Sequence, residues 1–274
     1  MKSALRRPVF VIGVVITLAL IALALLSLIW TPAAPSKINI LQRLKPPFGP
    51  GGFLGTDQFG RDLASMLMVG AWNSLSTSFM AVAIGATVGS AVGVIVAMRR
   101  GFLELVVMRF CDIIFAVPPI LSAMMLGAFI GSGRFTAVIA IAVFMVPVFA
   151  RLTLAAAKQI WARDYVTAAI GIGRSRARIT LVHVLPNIAN QIIVQVTIQL
   201  GLAILTEAGL SFLGLGMPPP APTWGRMLAD SQTFFGQAPW LAILPGLAIA
   251  LAVLGLNMLG DGLRDLLDPR SRSD

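Results

Sequence analysis

The chain has 274 residues, 57% hydrophobic and 12% charged, with a mean hydropathy of +0.89. A soluble domain is about 45–50% apolar and about 25% charged, so a water-soluble fold of this length would lack the polar surface to cover itself, and much of the chain must be solvated by lipid. Lys and Arg number 21 against 11 Asp and Glu, a net charge of +10. That balance fits nucleic acid or an anionic membrane surface, but the basic residues fall between apolar runs and form no single patch, so the membrane reading stands and nucleic acid is set aside.

A membrane-spanning helix takes about 20 mostly apolar residues, and such runs occupy residues 9–30, 75–98, 106–130, 135–150, 188–207 and 240–258. The expected fold is all-α, a polytopic membrane protein with six transmembrane helices. Lys2, Arg6 and Arg7 precede the first run as they would in a signal peptide. Its apolar core exceeds the usual h-region of about 7–15 residues, and Trp30-Thr31-Pro32 is no small-x-small cleavage site, so the helix reads as retained. Residues 31–74 are rich in Pro and Gly, with a short amphipathic helix expected over 63–69.

In the second span Gly85, Gly89 and Gly93 recur every four residues and read as a close-packing seam. The third span carries Cys111, the single cysteine, which excludes an intrachain disulfide. Asp112 stands three residues from Arg109 on the same helix face, the spacing of a local ion pair. Pro118-Pro119 in this span and Pro147 in the fourth remove backbone donors, so both helices should kink or break there. The fourth span should run on through Ala155-Ala156-Ala157, with Arg151 snorkelling to the interface.

Residues 151–186 are long for a connection between compact spans, yet they carry Ala, Leu and Ile at helical spacing. Asp164 is placed to act as an N-cap, Thr167-Ala168-Ala169 give a slim face, and Gly173 lets the chain turn. Arg174, Arg176 and Arg178 then alternate before Leu185-Pro186 opens the next span. A rigid hairpin of this kind can pass force from a soluble partner to the flanking spans; pinning to anionic membrane lipid is the alternative. In span five Asn187, Gln191, Gln195 and Gln199 recur every four residues, on nearly one face. Amides facing hydrocarbon are costly, so that face meets protein or water: either a substrate passage, with Glu207 at a gate, or interhelical hydrogen bonding. Beyond it, Trp224 and Trp240 suit the headgroup level.

With the N-terminus in the cytoplasm, six spans return the C-terminus to the same side and 15 of the 21 basic residues lie inside, the arrangement basic residues favour. No Gly-x-x-x-x-Gly-Lys-Ser/Thr occurs, and Lys2, Lys37, Lys45 and Lys158 lack glycine context, so the chain has no ATP site of its own. An ion-coupled carrier would bury carboxylates near mid-membrane; Asp112 and Glu207 fit that role poorly. His183 is the single histidine and sits in the internal loop, so neither zinc hydrolysis nor a Ser-His-Asp arrangement has a footing. No catalytic residue and no metal cluster is expected.

Asp164 to Asn187 resembles the signature cytoplasmic loop of bacterial ABC-importer permeases, a Glu-Ala-Ala, three residues, Gly, then about ten residues to an Ile/Val-Leu-Pro. Ala168-Ala169, Gly173 and Val184-Leu185-Pro186 match, and Thr167 stands where the family has Glu. Leu54-Gly55-Thr56-Asp57-Gln58-Phe59-Gly60-Arg61-Asp62 and the C-terminal run from Leu256 to Arg270 are similar to the C-type permease subunit of the dipeptide/oligopeptide/nickel group; with the run from Glu207 to Gly216, these stretches and the loop cover the chain from residue 54 to 270. The resemblance implies a membrane subunit that pairs with a second homologous permease. Two cytoplasmic ATPase subunits, which use ATP and Mg, would drive it, and an extracytoplasmic solute-binding protein would deliver peptides. It implies residence in a bacterial inner membrane and no cofactor on this chain. Carried onto this sequence, the ATPase-docking positions are Asp164, Tyr165, Val166, Thr167, Ala168, Ala169 and Gly173, with Arg174 and Arg178 beside them. The expected organisation is an N-terminal helix and outer segment (1–74), a permease domain (75–270) with its coupling loop at 151–186, and a tail (271–274). A self-sufficient channel or secondary carrier, and a scaffold that only anchors a soluble protein, are the rival readings.

Overall fold

The computed structural model describes residues 8–49, 51–99 and 101–267. Lys2, Arg6 and Arg7, the end of the C-terminal motif at Asp268-Pro269-Arg270, and the tail lie outside these. Among the described residues there is no strand, only two isolated bridges, Gly49 with Gly52 and Thr56 with Asp62. The helices are α1 (Pro8–Leu26), α2 (Leu63–Arg99), α3 (Phe102–Ala116), α4 (Pro119–Ile130), α5 (Arg134–Trp161), α6 (Asp164–Gly171), α7 (Arg176–Ile179), α8 (Leu185–Phe212), α9 (Trp224–Ser231) and α10 (Trp240–Leu267).

Five helical stretches are long and apolar enough to cross a membrane on their own: α1, α2, α5, the α7–α8 run Arg176–Phe212, and α10. The sixth expected span is bent by 87° between α3 and α4. The break falls at Pro118, where the chain turns extended (φ −56°, ψ 138°). The residue before a proline is disfavoured in the helical region, so the Pro pair stops α3 and opens α4. Pro147 behaves differently, because α5 runs through it without interruption, as α10 does through Pro245.

The tightest packing is α2 against α5. A Cβ added at Gly89 would fall 2.8 Å from Phe149 Cβ, and one at Gly93 would fall 2.9 Å from Thr153 Cβ; Gly85 faces Met145 in the same way. The glycine row is therefore the seam expected of it, bringing two backbones together where any side chain would hold them apart. Gly13, Gly255 and Gly262 make a second such seam between α1 and α10. Outward, α1 exposes Val15, Leu18 and Leu23, surface that hydrocarbon accommodates and water does not.

Two expectations for the segments read as external are corrected. Residues 63–69 are not a separate helix but the first turns of α2, at 37 residues about 55 Å long, well beyond a hydrocarbon core of about 30 Å. Asp62 starts it, its carboxylate accepting from the Ser65 N–H (2.8 Å) and hydroxyl (2.6 Å), and no proline interrupts the helix before its buried interior begins. Trp224 is a core residue instead of a headgroup anchor: it is 1% exposed, with its indole N–H donating to the Leu67 carbonyl at 3.1 Å. The projecting turns of α2 supply the apolar partners, Leu63 and Met66, that bury it with Met227 and Leu241.

Residues 31–49 and 51–62 fold back over this end of α2. The buried Asp57 carboxylate accepts from the Phe59 N–H (2.9 Å), the Arg61 N–H (2.8 Å) and Arg61 Nε (2.6 Å). Gly60, at φ +71°, turns the loop directly under Asn39, where a side chain has no room.

Candidate functional site

At the opposite end, α6, α7 and the π-helical turn Thr180–Val184 form a hairpin beneath the bundle. Arg163 occupies the cap position of α6 with no side-chain hydrogen bond, and Asp164 stands one residue inside. This corrects the expected N-cap; in the first turn the carboxylate still complements the helix dipole. The end of α6 is a Schellman turn: the Arg174 N–H donates to the Ala169 carbonyl (3.1 Å) and the Gly173 N–H to that of Ile170 (2.9 Å), with Gly173 at φ +80°. Ser175 then caps α7, its hydroxyl accepting from the Arg178 N–H at 3.4 Å.

The periodicity of α6 divides the predicted residues in two. Val166 is fully buried and Ala169 7% exposed, in one apolar cluster with Val94, Leu154, Trp161 and Ile188 from α2, α5 and α8. These two seat the helix and present nothing outward. Asp164, Tyr165, Thr167 and Ala168 are exposed on the other face with Ile170 and Ile172, as are Gly173, Arg174 and Arg178 at its end. Arg176 ties the hairpin to the bundle, donating to the Met98 carbonyl in the last turn of α2 at 2.8 Å. Tyr165 lies over His183, the rings 5.9 Å apart. The hairpin is thus clamped to three spans while its slim face points away from all of them.

The amide row of α8 also divides. Asn187, Gln191 and Gln195, joined by Asn190, line a groove of about 580 Å³ between α5, α8 and α10, whose α10 wall is Arg264 and Leu267. Gln199 is 5% exposed, and Glu207 is 1% exposed with Ser211 Oγ donating to it at 2.6 Å. Neither reaches the groove, because each four-residue step on an α-helix overshoots a full turn by about 40°. Between Asn187 and Gln199 the drift is about 120°, enough to carry Gln199 into the packed interior. Arg264 and Asn190 were not singled out from the sequence; Asn190 lies three residues from Asn187, the other same-face spacing, and could have been found that way.

Asp112 meets two cations. Arg109 Nη1 lies 3.7 Å from it, the expected local pair, and Arg151 of α5 is bonded to its other oxygen. Arg151 does not snorkel: that bond and the Phe115 ring, 4.8 Å from its guanidinium carbon, hold it against α3. Lys158 and Glu104 form a second link between the same two helices.

The molecule is a bundle of helices long and apolar enough to cross a membrane, with a hairpin clamped at one end. Residues 89–273 match the family described as the binding-protein-dependent transport system inner membrane component. The chain is 38% identical over 272 residues to the dipeptide transport system permease protein DppC of Alkalihalophilus pseudofirmus, covering 99% of this chain and 89% of that one. It is 37% identical over 272 residues to the glutathione transport system permease protein GsiD of Pectobacterium atrosepticum, covering 99% and 90%. In fold it is similar to the inward-facing MetNI methionine ABC transporter, with a TM-score of 0.63 at 19% identity over 74% of this chain and 96% of that chain. This chain belongs to the family of binding-protein-dependent inner membrane transport components, and is a permease subunit of an ABC importer, not an enzyme. As such it is a multi-pass protein of a bacterial inner membrane.

Proposed function

We propose that this chain, with a second homologous permease subunit, forms the membrane passage for di- or oligopeptides handed over by an extracytoplasmic binding protein, and that two cytoplasmic ATPase subunits drive it. The observation that carries this reading is the α6 hairpin: Val166, Ala169 and Arg176 fix it to α2, α5 and α8 while Tyr165, Thr167, Ala168 and Ile170 stay uncovered. A helix held so on one side and bare on the other suits a soluble partner that moves the spans as it moves itself. ATP and Mg belong to that partner. The names of the relatives, dipeptide and glutathione permeases, support a peptide substrate. Both termini and the hairpin would be cytoplasmic, in keeping with the distribution of basic residues. The domain division into residues 1–74, 75–270 and 271–274, with 151–186 as coupling loop, is part of the same proposal.

The passage wall is the groove face of α8, with Gln191 and Gln195 toward the partner permease; Gln199 and Glu207 support it from inside. Uptake of labelled dipeptide into liposomes tests the whole reading. The chain, its partner permease, the ATPases, loaded binding protein and ATP should together accumulate solute, and omission of the ATPases or of ATP should abolish accumulation. Accumulation by this chain alone would overturn it.

A further inference from the structure

The groove between α5, α8 and α10 has an unusual lining. Asn187, Asn190, Gln191 and Gln195 are amides, Arg264 is a cation, and among the described residues no carboxylate lines it. Asp261 and Asp265, on the same helix as Arg264, are not among its walls. Of these side chains only Asn187 makes a hydrogen bond within the described residues, donating to the His183 carbonyl at 2.6 Å. Arg264 forms no ion pair with any described carboxylate, so its guanidinium is open to a ligand. A guanidinium is a fork of donors matched to carboxylate oxygens, and amides can both donate to and accept from a peptide backbone.

We propose that Arg264, with Asn190, Gln191 and Gln195, forms a recognition site for the free C-terminal carboxylate and adjoining backbone of a peptide in transit. The site rests on the reading of this groove as passage wall. It lies at the hairpin end of the bundle, since Asn187 opens α8 directly after the π-helical turn and Arg264 is in the last turn of α10. It is therefore the last protein surface the peptide meets before release. The amides hold backbone without regard to side chains, so one charge can set polarity of entry for many sequences. A single solvent-exposed cation holds its ligand weakly, as release requires.

The test uses Cys111→Ser to remove this chain's single native thiol and Gln195→Cys to place one in the groove, in the complete complex with partner permease and ATPases, with labelling followed on this chain. Labelling rates are measured with an anionic and a cationic methanethiosulfonate. The anionic-to-cationic ratio should fall about 5-fold on Arg264→Gln and be kept by Arg264→Lys, the effect of one charge across a partly aqueous cavity. Alanyl-alanine should slow labelling and alanyl-alanine amide should not, and Arg264→Gln should erase that difference. An unchanged ratio, or equal protection by both peptides, overturns the carboxylate site while leaving a water-lined passage. Suppression of labelling by phosphatidylglycerol but not by peptide makes the oxyanion a lipid headgroup and also overturns it. No labelling by either reagent overturns the passage reading itself.

Discussion

Asp112 of α3 and Arg151 of α5 form an ion pair across two helices that otherwise share few buried residues, since Cys111 is the one buried residue of α3. Lys158 and Glu104 repeat the link further along the same helices. Beyond Pro118 the chain turns away by 87° into α4, so α3 is an arm strapped at two points and hinged at its end. The side chains of Asp112 and Arg151 are 49% and 43% exposed, which limits their coupling to about 0.2–1 kcal/mol. A double-mutant cycle of Asp112→Asn and Arg151→Gln, read as thermal stability in detergent, should return that coupling. A value near zero would mean that packing of Phe115 on Phe144 holds α3 instead.

The α2–α5 seam predicts a reversal of helix propensity. Gly to Ala in a helix interior ordinarily stabilises by about 1 kcal/mol, and at Gly209 of α8, where nothing lies within 4 Å of an added Cβ, that gain should appear as a raised unfolding midpoint. At Gly89 the added methyl meets Phe149 Cβ at 2.8 Å and backbone besides. Overpacking of that kind costs about 1–3 kcal/mol, so Gly89→Ala should lower the midpoint. Equal shifts of one sign for both variants would remove the seam as a determinant of the fold.

The two faces of α6 should separate in mutation. Val166→Ala removes two methyls from a fully buried site and should cost about 1–3 kcal/mol of hairpin stability, seen as faster amide exchange over 164–184. Ala168→Trp adds bulk on the exposed face; it should leave exchange unchanged and abolish co-purification with the ATPases. Retention of the ATPases by Ala168→Trp would move the contact elsewhere on the hairpin.

What could be read from the sequence follows from how locally each feature is determined. The spans are runs of apolar residues, and no tertiary partner is needed to make hydrocarbon their solvent. The break at Pro118-Pro119, the glycine seam and the turn at Gly173 are likewise written in single residues with narrow conformational options. Trp224 was misplaced because its burial depends on Leu67, Met66 and Leu241, up to 158 positions away. Arg151 was misplaced because its partner is on another helix. The amide row was half legible: a repeat of four is close enough to 3.6 to hold a face for two steps and not for three. Arg264 reaches the groove only because the fold places the end of α10 beside the start of α8.

At the end of the molecule opposite the hairpin, stability should respond to pH. Asp230 of α9 is half-buried, and burial pushes its carboxyl above the ordinary value of 3.8; the Arg226 and Arg61 guanidiniums oppose this without cancelling it, and Asp57 adds to it. Arg226 Nε lies 3.0 Å from the carboxylate. A carboxyl whose folded pKa is raised binds its proton more tightly in the folded state. Its contribution is therefore fully present below the unfolded value and lost as pH rises through the folded one. Thermal midpoints followed upward from pH 3.8 should fall more steeply in the native chain than in Asp230→Asn, which cannot ionise. The gap between the two should move in favour of the variant as pH rises. A gap that stays constant with pH would mean that Asp230 titrates alike in both states and that the Arg226 pair fully offsets its burial.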